Sequence, residues 1–246
     1  MKVLVLGGTS EARELAAALS EHPRFAAVSS LAGRVREPRV PEGEVRIGGF
    51  GGPGGLATWL RDNGTDVLVD ATHPFAQRMT SSAVEAARSA GVPLLVLRRP
   101  GWTEGPGDDW RWVRSVAEAA DELRRMGPRG VFLTTGRQDV SAFADLDDLR
   151  FLLRCVDPPE PPVPRQLEVL LDRGPFTVDG ELDLLRSRAL DVVVTKDSGG
   201  GMTAAKLRAA RQLGLPVVVV RRPDPPEAPL VETSRAALAW LEAHAG

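Results

Sequence analysis

The chain has 246 residues, 43% of them hydrophobic, a formal net charge of -2 and a single cysteine, Cys155. Such apolar content excludes a disordered chain, and the scatter of acidic and basic residues excludes the extended positive field that nucleic-acid binding needs. One cysteine excludes an intrachain disulfide or thiolate cluster, and no segment reaches the roughly 20 apolar residues of a membrane span. Tyrosine is absent, so a Tyr-Lys proton-donating pair cannot be built, and three histidines are too few for a multi-histidine metal centre. The apolar stretch before Gly7 is too short for a signal-peptide core. A cytoplasmic protein with no nucleic-acid, membrane or metal partner is expected.

Short β-branched runs alternate with Ala/Leu/Arg-rich stretches of helical period, the pattern of parallel βαβ units in an α/β fold. Val3 to Leu6 predicts a strand, and Glu11 to Ser20 a helix. Strands at Ala26 to Ser29 and Val45 to Ile47 follow, then a helix over Leu56 to Asn63, a strand at Val67 to Asp70, a helix over Gln77 to Ala90 and a strand at Leu94 to Leu97. Further on, a helix over Val116 to Met126 precedes strands at Val131 to Thr134 and Phe151 to Cys155. The chain closes with a helix over Leu182 to Arg188, a strand at Val192 to Thr195, a helix over Thr203 to Leu213, a strand at Val217 to Val220 and a helix over Ser234 to Ala243.

A repeat lies inside this pattern. Asp66-Val-Leu-Val-Asp70, a helix, and Ala90-Gly-Val-Pro-Leu-Leu-Val-Leu-Arg-Arg-Pro100 match Asp191-Val-Val-Val-Thr195, a helix, and Leu213-Gly-Leu-Pro-Val-Val-Val-Val-Arg-Arg-Pro223. The chain therefore reads as two similar halves: residues 1–100, a Gly-, Pro- and Trp-rich linker at 101–112, and residues 113–246. Ligands of open α/β sheets bind outside the carboxyl ends of the strands, so parallel sheets facing one interdomain cleft would line it with loops from both halves.

Gly7, Gly8, Thr9 and Ser10 join the first strand to a helix, where unpaired amides and the helix dipole favour phosphate. The match to Gly-x-Gly-x-x-Gly is poor, since Thr9 and Ala12 stand at its second and third glycines, and a plain turn with Ser10 as N-cap explains the same residues. After the second strand come Ser30 and Arg34. An arginine with hydroxyls and no early carboxylate favours the 2′-phosphate of NADPH, and a solvated arginine is the alternative. Glycines from Gly48 to Gly55, Gly49 among them, let backbone approach a flat ligand or simply form a flexible loop. Asp70-Ala-Thr72-His73-Pro-Phe-Ala76 carries a histidine suited to proton donation or carboxylate binding, or to shaping the loop beside Pro74. In the second half, Thr134-Thr-Gly-Arg137 and Thr195-Lys196-Asp-Ser198-Gly-Gly-Gly201 end strands. Lysine occurs only at positions 2, 196 and 206, which singles out Lys196 as a cation that an anionic ligand can reach. Asp157 to Pro164 reads as a stiff spacer.

Together, GGTSEAR at Gly7 to Arg13, SLAGR at Ser30 to Arg34, GGFGG at Gly48 to Gly52, DATHPFA at Asp70 to Ala76, TTGR at Thr134 to Arg137 and TKDSGG at Thr195 to Gly200 resemble the precorrin-6A reductase family of cobalamin biosynthesis. The six motifs span nearly the whole chain. The resemblance implies two Rossmann-like halves and an NADPH-dependent oxidoreductase acting on a CH-CH group. Hydride reaches C19 of the macrocycle, a proton is added at the neighbouring ring carbon, and precorrin-6A becomes precorrin-6B. It implies cofactor contacts from Gly7, Gly8, Thr9, Ser10, Ser30, Arg34, Gly49 and Thr72. Carboxylates of a small-molecule tetrapyrrole-derived substrate would meet Arg13, Arg137, Lys196 and Ser198. Lys196, His73 or water is the proton donor. Neighbouring pathway enzymes are further partners. A cobalt-precorrin-6A reductase using NADH, a nucleotide-sugar transferase and a non-catalytic nucleotide-sensing module are the competing readings.

Overall fold

Among the described residues, twelve strands and seven α-helices alternate along the chain. They are β1 (Lys2–Leu6), α1 (Ser10–Ser20), β2 (Ala26–Leu31), β3 (Glu44–Ile47), α2 (Pro53–Asp62), β4 (Val67–Asp70), α3 (Gln77–Ala90), β5 (Leu94–Leu97), β6 (Trp110–Val113), α4 (Val116–Met126), β7 (Gly130–Leu133), a 3-10 helix (Arg137–Phe143), β8 (Arg150–Cys155), β9 (Leu167–Leu171), α5 (Val178–Ser187), β10 (Val192–Lys196), α6 (Ala205–Leu213), β11 (Val217–Val220), β12 (Leu230–Val231) and α7 (Ser234–His244). These assignments come from a computed structural model, which describes residues 1–33 and 39–245.

The chain folds as two units, Met1–Pro100 with Pro223–Gly246, and Gly101–Arg222. Each holds a six-stranded parallel sheet, in the order β12-β5-β4-β1-β2-β3 in the first and β6-β11-β10-β7-β8-β9 in the second. The first is the 3-2-1-4-5-6 order of a doubly wound dinucleotide fold; the second keeps the 3-2-1-4-5 part from β7 to β11 but fills the sixth position with β6, the strand that comes first in that unit. The repeat seen in the sequence coincides with equivalent strand pairs, β4-β5 and β10-β11. In both copies the intervening helix ends on a glycine in the left-handed region, Gly91 at φ 69° and Gly214 at φ 63°. A side chain would be strained there, and the proline two residues on cannot continue the helix.

Period-two alternation with both faces buried fixes the first sheet. Val3, Val5, Val67 and Val69 pack with Leu15 and Leu19 of α1 and with Ala237 and Leu241 of α7. Leu4, Leu6 and Leu68 point the other way, onto Leu56 and Leu60 of α2 and the Ala83/Ala86/Ala87 face of α3. Each fully buried leucine contributes about 1.5–3 kcal/mol.

This packing corrects the expected division at 101–112 and 113–246. Ala237 and Leu241 are wholly buried in the first unit's core, and Leu230 pairs with Val96, so the C-terminal segment completes the first sheet. Trp110 to Trp112, expected to be linker, lies in the edge strand β6 of the second. The three strands that the sequence does not announce, β6, β9 and β12, are all edge strands. Half-exposed edges carry no long apolar run: Leu171 of β9 is 53% exposed.

Candidate active site

In each sheet the strand order reverses between two central strands, and the loops at that point are where ligands of this fold class bind. In the first unit these loops follow β1 and β4. The buried Thr9, not Ser10, caps α1: its Oγ1 accepts from Ala12 N at 3.1 Å and donates to the Ala71 carbonyl at 2.8 Å, which ties the two loops together. Ser10 is the first helical residue, and its hydroxyl donates to Glu11. Gly7 N–H donates to the Ser30 carbonyl at 2.9 Å. Ser30 is itself buried within β2, which runs two residues beyond the expected Ser29. Its hydroxyl accepts from Arg46, whose guanidinium also donates to the carbonyls of Gly48 and Gly49 and lies 3.8 Å from the centroid of Phe50.

Glycine supplies the approach to backbone here. Gly8 is exposed at φ 120°, and a Cβ added at Gly8, Gly48, Gly49, Gly51 or Gly52 would meet no atom within 4 Å. Open space over so many backbone positions at the carboxyl edge fits a dinucleotide lying against the chain. Arg34 lies outside the described residues.

Asp70 organises the loop after β4. It is buried; one carboxylate oxygen accepts from Thr72 N–H and Oγ1, at 3.1 and 2.7 Å, and the other accepts from Thr80 Oγ1 on α3 at 2.7 Å. His73 stands exposed on the loop, with Nδ1 accepting from Phe75 N–H at 3.3 Å. Arg13 is half-buried on α1. Beside it, burial works against ionising Glu11. Even so, a backbone N–H and the Arg99 guanidinium at 2.7 Å hold its carboxyl below the usual carboxylate value.

The second unit repeats this layout after β7 and β10. Here the link between loops is an ion pair, Lys196 Nζ to Asp139 Oδ2 at 2.5 Å. The cation expected to await a ligand is thus already partnered, by a carboxylate on the 3-10 helix. That helix carries no apolar period long enough to announce it, so nothing in the sequence singles out Asp139. Arg137 opens it and donates to the Pro158 carbonyl at 3.5 Å. Ser198 follows, with N–H donating to the Lys196 carbonyl at 2.7 Å. Asp197 between them is buried and accepts from Trp102 N–H at 2.9 Å and Arg222 Nε at 3.0 Å. Cys155 offers no nucleophile, because burial pushes its thiol up despite the nearby Arg137 charge. Among the described residues, no group of three or more His, Cys, Asp or Glu side chains is placed to hold a metal.

Residues 2–242 match the family model described as precorrin-6x reductase CbiJ/CobK. The chain belongs to the precorrin-6x reductase family. Within it, the chain is 54% identical over 241 residues to the precorrin-6A reductase of Rhodococcus erythropolis, covering 98% of this chain and 97% of that one. Against the cobalt-precorrin-6A reductase of Salmonella typhimurium the identity is 32%, with 91% and 88% covered. A solved structure titled CobK precorrin-6A reductase superposes with a TM-score of 0.93 at 43% identity, covering 99% of this chain and 97% of that one. The family is one of reductases, and within each unit the loops at the switch point, after β1 and β4 in the first and after β7 and β10 in the second, are its candidate functional loops.

Proposed function

We propose that this protein reduces precorrin-6A to precorrin-6B in cobalamin biosynthesis, a CH-CH oxidoreduction, and does so in the cytoplasm with neighbouring pathway enzymes as partners. The observation that carries the reading is the higher identity to relatives named for the cobalt-free substrate than to those named for the cobalt-bearing one. NADPH supplies the hydride. Gly7, Gly8, Thr9 and Ser10 hold its phosphates at the α1 terminus, with Thr72 and Gly49 alongside, Ser30 shaping the wall and Arg34 on the 2′-phosphate.

Arg13, Arg137 and Ser198 take carboxylates of the macrocycle, each charge-assisted bond contributing about 1.5–3 kcal/mol. Lys196 joins them while Asp139 sets its position. Correct alignment of the two reacting carbons supplies roughly 7–11 kcal/mol of barrier reduction, so no covalent nucleophile is needed. His73 and Lys196 are the side chains at hand to hold the proton for the neighbouring carbon.

The test is oxidation of NADPH on addition of precorrin-6A. Turnover with cobalt-precorrin-6A and NADH alone would overturn the assignment. For the 2′-phosphate, Arg34→Ala should weaken NADPH binding by at least about tenfold while sparing NADH; equal losses would remove Arg34 from that role.

A further inference from the structure

The glycine-rich loop after β10 holds Ser198, yet Gly199 and Gly200 both sit at positive φ, 66° and 76°, and glycines lose the most freedom on ordering. Its conformation is set from outside. Trp102 N–H donates to Asp197 at the start of the loop, and Trp102 Nε1 donates to the Gly200 carbonyl at 2.9 Å in its middle. Lys206 Nζ donates to the Thr203 carbonyl at 2.7 Å at its end, and lies 4.8 Å from the centroid of the Trp102 ring. Phe176 N–H holds the Met202 carbonyl.

Lys206 is an unusual choice for such a support. It is 3% exposed, on α6, and within electrostatic reach of Arg154 of β8 and Glu181 of α5, which are themselves an ion pair at 2.6 Å. Glu181 Oε2 is buried without a hydrogen-bond partner. An apolar side chain could fill this space at no electrostatic penalty; what it could not do is grip a carbonyl and the face of an indole together.

We propose that Trp102 and Lys206 are positioning residues that lock the loop 197–203 in the conformation presenting Ser198 and Lys196, so that their loss weakens use of the macrocyclic substrate and not of the nucleotide. The consequence for substrate rests on the function proposed above; the locking of the loop does not. Burial and the Arg154 charge, offset in part by the Glu181 carboxylate, bring Lys206 down to about 7, so the cationic grip on the indole is strong in mild acid and fades above neutrality.

The experiment combines amide hydrogen exchange of loop 198–204 in the ligand-free protein with steady-state kinetics, for the wild type, Trp102→Leu, Trp102→Phe and Lys206→Met. Trp102→Leu and Lys206→Met should lose protection in the loop by about tenfold or more, with no loss of protection in other segments. Trp102→Phe keeps the ring face and should lose less. KM for precorrin-6A should rise with KM for NADPH unmoved. After correction for intrinsic exchange, wild-type protection should fall between about pH 6 and about pH 8.5, and Lys206→Met should abolish that dependence. Unaltered loop exchange in both Trp102→Leu and Lys206→Met would overturn the proposal. Loosened exchange with an unmoved substrate KM would instead overturn its link to substrate and count against the function assigned to this loop.

Discussion

Replacing Lys206 by methionine should stabilise the second unit, and by an amount that depends on pH. The folded lysine titrates near 7 because burial removes its hydration and Arg154 repels it, against an ordinary value of 10.5. Below about 7 the folded protein holds a buried ammonium. A tenfold loss of proton affinity corresponds to about 1.4 kcal/mol, so the buried charge costs about 5 kcal/mol relative to the alkaline limit. Above about 7 the folded state binds fewer protons than the unfolded one, so stability climbs until the unfolded lysine also deprotonates near 10.5. At about pH 9 roughly 2 kcal/mol of the cost remains. The lost bond to Thr203 subtracts about 1 kcal/mol from the variant at every pH and cancels in the comparison. The gap between Lys206→Met and wild type should therefore shrink by about 3 kcal/mol from about pH 6 to about pH 9. Urea unfolding followed by tryptophan fluorescence measures it. Two of the five tryptophans, Trp59 and Trp240, lie in the first unit, and replacing both with phenylalanine leaves a signal from the second alone. A gap that is equal at the two pH values would refute the reasoning.

Arg154→Met should destabilise the second unit by about 3–5 kcal/mol in the same assay, because it strands Glu181 buried and unpaired, whereas Arg154→Met with Glu181→Leu should recover most of the loss. In Gly101→Ala the new methyl would lie 2.6 Å from Asp197 Oδ2; a destabilisation of about 1–3 kcal/mol is expected, readable as a lowered urea midpoint. Lys196→Ala should leave Asp139 as a carboxylate without its cation and reduce kcat/KM for precorrin-6A by about tenfold or more, at unchanged NADPH affinity.

The family, the α/β class and the duplicated strand-helix-strand unit are legible in the sequence, because central parallel strands are buried on both faces and must read as continuous apolar runs. Val192 to Val194 and Val217 to Val220 can be nothing else. The glycine-rich turns are legible for a related reason: positive φ and close approach restrict which residues fit. Edge strands, with one side open, impose a weaker pattern: β3 is read from Val45 to Ile47, whereas β6, β9 and β12 are not announced by the residue order.

Partnership was decided only in three dimensions. A short C-terminal segment joins the first sheet because α7 fills a hydrophobic gap beside α1, a match of surfaces between residues more than 200 positions apart, as in the Ser234 to Glu14 hydrogen bond. Lys196 is scarce enough to be noticed in the sequence, but its pairing with Asp139 depends on how β10 lies beside β7. Lys206, one of three lysines in the chain, reads as one more polar residue in a helix until burial among Arg154, Glu181 and Trp102 alters its proton affinity. Sequence order records which residues prefer strand, helix or turn; charge, by contrast, acts through space and through the water that folding removes.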